Sequence, residues 1–211
     1  MARVPADQRR QDFIEAAVRV IAEQGMRGAT TRRIAEAADA PLATLHYCFH
    51  TKEQLFFAVF EYMSASVLEQ QVDVAPTEND LAATAMRIVK STMEWSFAHQ
   101  AYTKVQFDLT LWATRQEGKN AGLAARVYDL FFDEFTRVLD AAVGPGDDES
   151  IVRPLARLLI AILDGLSLQW ISHHDAAQTR ADVALACEMI NAFLAAPRRS
   201  AELASPGRTA N

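Results

Sequence analysis

Apolar residues recur at helical spacing along most of the chain, and no stretch shows the period of two that marks a half-buried strand. Phe13, Ala16, Ala17, Val20 and Ile21 define a first helix that starts near Asp7 and stops at Gly25, a residue able to take the left-handed C-cap conformation. From Gly28 to Leu55 the pattern shortens. Thr30 is placed to cap a short helix with Ile34, Ala35 and Ala38 on its inner face. Asp39 suits a left-handed turn, and Pro41 suits the opening of a second short helix. In that helix Leu45 and Phe49 point inward, leaving Thr44, His46 and Tyr47 outside. Thr51 and Gln54 form a capping box for a long helix running from Lys52 to about Val72. Helices this short need neighbours to exist, and the spacing predicts a helix-turn-helix. The usual employment of that unit is to lay its second helix in the major groove of DNA.

Beyond a break at 73–79 containing Pro76, the same periodicity predicts helices over 80–100, 101–114, 118–143, 149–174 and 180–196, with Gly144-Pro145-Gly146-Asp147-Asp148 as the clearest interruption. The chain is therefore read as all-α. Residues 1–51 are a helix-turn-helix domain whose first six residues form a mobile arm. Residues 52–196 are a helical body entered through the connecting helix 52–72, and 197–211, rich in Arg, Ser, Pro and Gly, are a disordered tail. From Leu155 to Leu168 only Arg157, Asp164 and Ser167 interrupt an apolar surface, so this helix must bury more than one face. The following helix adds a stripe of Val183, Cys187, Ile190, Phe193 and Leu194. A central helix of a monomer is one reading; a four-helix bundle closed by a second copy is the favoured one. The expected homodimer interface comprises Leu155, Leu159, Ile162, Leu166, Ile190 and Leu194.

The body also holds many large aromatic side chains with polar groups among them. Plain core is the ordinary use of such stripes, yet the set exceeds what tight packing needs and offers groups to orient a guest. The candidate effector site is Trp95, His99, Phe107, Asp108, Trp112, Tyr128, Phe131, Phe132, Phe135 and Trp170. Two acids in these largely apolar helices need partners. Lys104 lies one turn from Asp108, and Asp164 has Arg157, Arg126 or Arg137 as candidates. A free acid favours a cationic or amine-bearing hydrophobic effector, and paired acids favour a neutral one.

Composition narrows the class. With 50% hydrophobic and 23% charged residues in 211, this is an ordinary globular chain with a sizeable core. The net charge of −6 argues against indiscriminate nucleic-acid binding, but residues 1–60 carry a net +1 and the remainder −7. Such asymmetry suits contact with DNA through one small face. Cys48 and Cys187 lack motif spacing, so no disulfide framework is expected. No leader or membrane-spanning run is visible, and a cytoplasmic protein is expected. His46, Cys48 and His50 do not share one helix face, so no metal site is expected. No phosphate loop, nucleophile elbow or metalloprotease motif appears; neither catalysis nor a cofactor is expected.

The run T-T-R-R-I-A-E-A-A, followed by A-T-L-H-Y-C-F and T-K-E-Q-L, resembles without gaps the N-terminal signature of the TetR family of bacterial regulators. The order and length of the later helices resemble that family too. Departures fall at Asp39 and Ala43, where the family commonly has Gly, at Pro41 in place of Ser, and at His46 in place of Tyr. The resemblance implies a ligand-responsive repressor of double-stranded DNA, dimeric through its last two long helices, with an effector pocket among the body helices. Thr31, Arg32 and Arg33 would then hold phosphate at the start of the first motif helix. Leu42, Ala43 and Thr44 would meet base edges, and His46, Tyr47 and Lys52 would grip phosphates. The expected partners are an inverted-repeat operator and a small hydrophobic effector.

Overall fold

The computed structural model describes residues 5–72, 79–118 and 121–196. Among these residues there are nine α-helices and no strand: α1 Ala6–Gly28, α2 Thr31–Ala37, α3 Leu42–Cys48, α4 Lys52–Val72, α5 Leu81–Ala98, α6 Gln100–Ala113, α7 Leu123–Asp140, α8 Val152–His173 and α9 Ala176–Ala195. Residues 1–4 of the expected arm, most of the break at 73–79 and the tail lie outside the described residues, while Ala6, expected in the arm, opens α1.

Local chemistry sets the N-terminal third. Gly25 takes a φ of 68°, kinking the end of α1 where the stop is expected. Thr30 accepts from the Arg33 amide at 3.3 Å, capping α2. Asp39 adopts φ 46° in the turn. Pro41 is the cap residue itself, its carbonyl accepting from the Thr44 amide at 2.9 Å. At the head of α4 the Gln54 amide donates to Thr51 Oγ1 at 3.2 Å, while Gln54 Oε1 accepts from the His50 amide at 3.0 Å. This box reaches one residue further back than the usual form.

The later helices differ from expectation at their ends. Gly122, with φ 74°, is the cap residue of α7, which begins at Leu123 rather than at Gly118. A 3-10 turn, Glu149–Ile151, precedes α8, whose first turn takes Pro154 without losing a helical bond. α9 begins at Ala176, because Asp175 accepts from the Gln178 amide at 3.0 Å and caps it.

Two buried clusters organise the packing. One joins α1, α2, α3 and α4 to α6 and α7: Phe13, Ile34, Leu45, Phe49 and Phe56 share it with Val105, Leu109, Val127 and Phe131. The other joins α5, α7, α8 and α9 through residues such as Ile88, Phe135, Leu159 and Cys187. Leu155, Leu159 and Ile190, expected at the dimer interface, are buried within the protomer's own second cluster at 1%, 0% and 3% exposure. The apolar side chains that α8 and α9 leave outside are Leu158, Leu168, Leu185, Met189 and Phe193; Ile162, Leu166 and Leu194 are half-buried. The sequence shows that the pair of helices is apolar on several sides but not which side meets its own core.

Candidate nucleic-acid interface and ligand cavity

α2 and α3 are short, and α1 holds both. Arg19 donates to the carbonyl of Ala37, the last residue of α2, at 3.1 Å. Arg10 does the same for Cys48, the last residue of α3, at 3.1 Å, with its guanidinium 4.2 Å from the Phe49 ring centroid. A cation at a helix C-terminus satisfies an orphan carbonyl and opposes the negative end of the dipole. The roles of these two arginines are not legible in the sequence, since only the fold brings residues 18 and 38 apart together.

Leu45 and Phe49 fasten α3 to the core, and the opposite side of the helix is open. Leu42, Ala43, His46 and Tyr47 are exposed, Tyr47 to 78%, and Thr44 is half-buried. Tyr47 has no packing role to explain that exposure. Arg32 is exposed but paired with Glu36 at 3.1 Å, and Arg33 donates to the Gly28 carbonyl at 3.0 Å. Thr31 is half-buried at the head of α2. Lys52 opens α4 with its ammonium 4.9 Å from the Phe56 ring centroid. The nine side chains are carried by α2, α3 and the first residue of α4. Among the described residues no group of His, Cys, Asp and Glu could hold a metal, and no helix is long and apolar enough to cross a membrane.

A cavity of about 60 Å³, opening to solvent, lies between α5, α6, α7 and α8. Of the expected effector residues it gathers Trp95, Phe107, Tyr128, Phe131 and Phe135, together with Asp164. Thr92, Ser96, Thr103, Gln106 and Ser167 complete its polar lining; Gln106 stands out in the sequence as a polar group among the aromatics, whereas the small hydroxyls give no signal there. The Tyr128 hydroxyl donates to Asp164 Oδ2 at 2.8 Å. Burial pushes the Asp164 carboxyl above the usual carboxylate range, with the Tyr128 hydrogen bond opposing; burial, then that same bond, raises the Tyr128 phenol.

The other expected residues are elsewhere. His99 stacks on Trp95 with centroids 4.6 Å apart, at the exposed junction of α5 and α6. Trp112 packs edge-on against Phe56 and faces a surface cleft that also holds Asp108. Phe132 belongs to the second cluster, with Arg153 and Arg157 stacked on its ring at 4.7 and 4.8 Å. Trp170 meets Phe97 edge-on. Asp108 is exposed and makes no ion pair with Lys104, so water, not a partner, stabilises its charge.

A braced pair of short helices, with a polar-lined aromatic cavity in the helical body, defines a regulator of helix-turn-helix type. A family model described as "Bacterial regulatory proteins, tetR family" matches residues 13–59. The nicotine-responsive transcriptional repressor HdnoR of Paenarthrobacter nicotinovorans is 33% identical over 174 residues, covering 81% of this chain and 87% of that protein. The transcriptional regulator BetI of Rhizobium meliloti (strain 1021) is 28% identical over 190 residues, covering 89% and 90%. Crystal structures of the multidrug binding protein EbrR superpose with 25% identity: the imidazole complex with a TM-score of 0.66 over 90% of this chain and 97% of that one, the malachite green complex with 0.63 over 90% and 99%. The chain belongs to the TetR family of bacterial transcriptional regulators. It is a regulator rather than an enzyme; members of the family bind operator DNA and ligands and act as dimers.

Proposed function

We propose that this chain is a homodimeric repressor released from an inverted-repeat operator when a small hydrophobic effector enters the cavity between α5, α6, α7 and α8. Residues 1–51 serve as the DNA-reading unit and 52–196 as the effector-binding and dimerising body. Leu42, Ala43 and Thr44 meet base edges, while Thr31, Arg32, Arg33, His46, Tyr47 and Lys52 hold phosphates, Arg32 and Arg33 by exchanging their present partners for DNA. The dimer face is the outer side of α8 and α9, where Leu158, Leu168, Leu185, Met189 and Phe193 are exposed.

One observation carries the reading: Phe131 lines the cavity and also belongs to the buried cluster that contains Leu45 and Phe49 of α3. An occupant that moves α6 or α7 therefore displaces the packing beneath the recognition helix. In a dimer this changes the separation of the two recognition helices, provided the effector prefers one of the two arrangements. The named ligands of relatives, nicotine for HdnoR and malachite green for EbrR, support a small, nitrogen-bearing aromatic effector.

A gel shift with the DNA upstream of the chain's own gene tests the reading. The dimer should retard it, and a compound that binds the cavity should reverse the shift. A reporter under the same DNA should rise when the gene is deleted; a fall would make the chain an activator.

A further inference from the structure

The cavity's charge is one-sided, although Trp95 Nε1 is a buried donor without a partner among the described residues. No Lys, Arg or His lines it. Three of its hydroxyls have spent their protons: Thr92 donates to the Ile88 carbonyl at 2.8 Å, Thr103 to that of His99 at 3.3 Å, and Ser167 to Met93 Sδ at 3.5 Å. What they have left for a guest is lone pairs. The only charged lining group is Asp164. Tyr128 satisfies its Oδ2, and its Oδ1 has no hydrogen-bond partner among the described residues.

The cations that sequence spacing offered to Asp164 are engaged elsewhere. Arg157 stacks on Phe132 at 4.8 Å, Arg126 donates to the Ala121 carbonyl at 3.2 Å, and Arg137 is paired with Glu134. A second, smaller hollow is lined by Gln106, Phe107, Tyr128, Phe131 and Asp164, all of which also line the main cavity. Asp164 therefore stands where two cavities meet, among aromatic rings whose faces attract positive charge. A half-buried carboxylate without a counter-ion is partly stripped of water, and an incoming cation offsets that cost.

We propose that Asp164 is the charge-selecting residue of the cavity: the effector carries a protonated amine, received at Oδ1, while Tyr128 positions the carboxylate through Oδ2. This inference rests on the reading of the cavity as the effector site.

The test is isothermal titration of the full chain with two matched pairs of probes. One is nicotine, protonated on its pyrrolidine nitrogen at neutral pH, against cotinine, its neutral lactam; the other is ethidium against uncharged phenanthridine. The native chain should favour at least one cation over its neutral counterpart by about tenfold or more, as a charge-assisted contact requires. Asp164→Asn should erase that preference by weakening the cation alone. Tyr128→Phe should weaken the cation several-fold and move the onset of its binding to higher pH, an effect a purely structural role would not produce. Equal cation affinity in the native chain and Asp164→Asn overturns the assignment, as does a native preference for the neutral compounds. Release of operator DNA by the neutral compounds alone would overturn it while leaving the effector cavity standing. Failure of all four probes to bind would overturn both.

Discussion

The Trp112 indole meets the Phe56 ring edge-on, with centroids 5.5 Å apart and planes at 86°. Phe56 belongs to α4 and is the ring above which the Lys52 ammonium sits, so a side chain of α6 in the body touches the group that supports a proposed phosphate contact. Phe56→Ala, at a fully buried position, should cost about 3–5 kcal/mol in urea denaturation. Trp112→Leu should cost much less, keep operator affinity and raise the effector concentration needed for release. An unchanged release curve would show that this contact does not transmit the signal.

Arg10→Ala and Arg19→Ala should each lower operator affinity without touching a base. They remove the bonds that hold the last carbonyls of α3 and α2, each worth about 1 kcal/mol and so roughly fivefold in binding. Fluorescence anisotropy should find the loss equal on operator and unrelated DNA containing the same number of phosphates.

Tyr47→Ala and Lys52→Ala should weaken binding to all sequences, and Lys52→Ala should flatten the salt dependence by about one unit. Thr44→Ala or Leu42→Ala should instead change which sequences are preferred. Unchanged operator affinity in both the Tyr47 and Lys52 variants would sink the docking. Protection footprints should show half-sites about 34–36 Å apart or at a multiple of it.

Sedimentation should give a dimer at micromolar protein. Leu185→Asp and Met189→Asp, at side chains 56% and 64% exposed, should yield a folded monomer with weakened operator binding. Leu159→Asp should unfold the protomer, because its side chain is wholly buried. A dimer that survives both exposed substitutions would place the interface on another face.

Asp164 gives a pH dependence of definite sign. Burial raises its folded-state pKa, so its contribution to stability is full below the unfolded value and is lost as pH rises through the folded one. Asp164→Asn cannot ionise and keeps an acceptor for Tyr128. Without ligand it should melt higher than the native chain at pH 7, with about 2–4 °C per kcal/mol for this chain length. The gap should close near pH 4; a gap that is the same at both values would contradict the burial argument.

Local features were readable in the sequence, and partitioning was not. Thr30, Asp39, Leu45 and Phe49 act within a few residues of themselves, so spacing and backbone preference sufficed to place them. Asp175 carried the same kind of capping signal, but behind His173 and His174 it reads as the end of the preceding helix. Phe131 and Phe132 are adjacent on α7, yet one lines the cavity and the other lies under two arginines of α8. Adjacent helical positions point about 100° apart, and only the placement of α8 decides which meets a cavity. Asp108 looked buried because its neighbours are apolar, but it lies on the outer side of its helix.

Phe13, Leu45, Phe56, Val105 and Leu109 share one cluster, so the apolar underside of the proposed DNA-reading unit is covered by α4 and α6. That unit is not a detachable cartridge. Cut after residue 51 and moved to a foreign body, it would bare a greasy floor unless the matching surface of α6 travelled with it. Under the proposed function, operator choice and inducibility are therefore inherited together, and swapping one between relatives means re-cutting the seam between them.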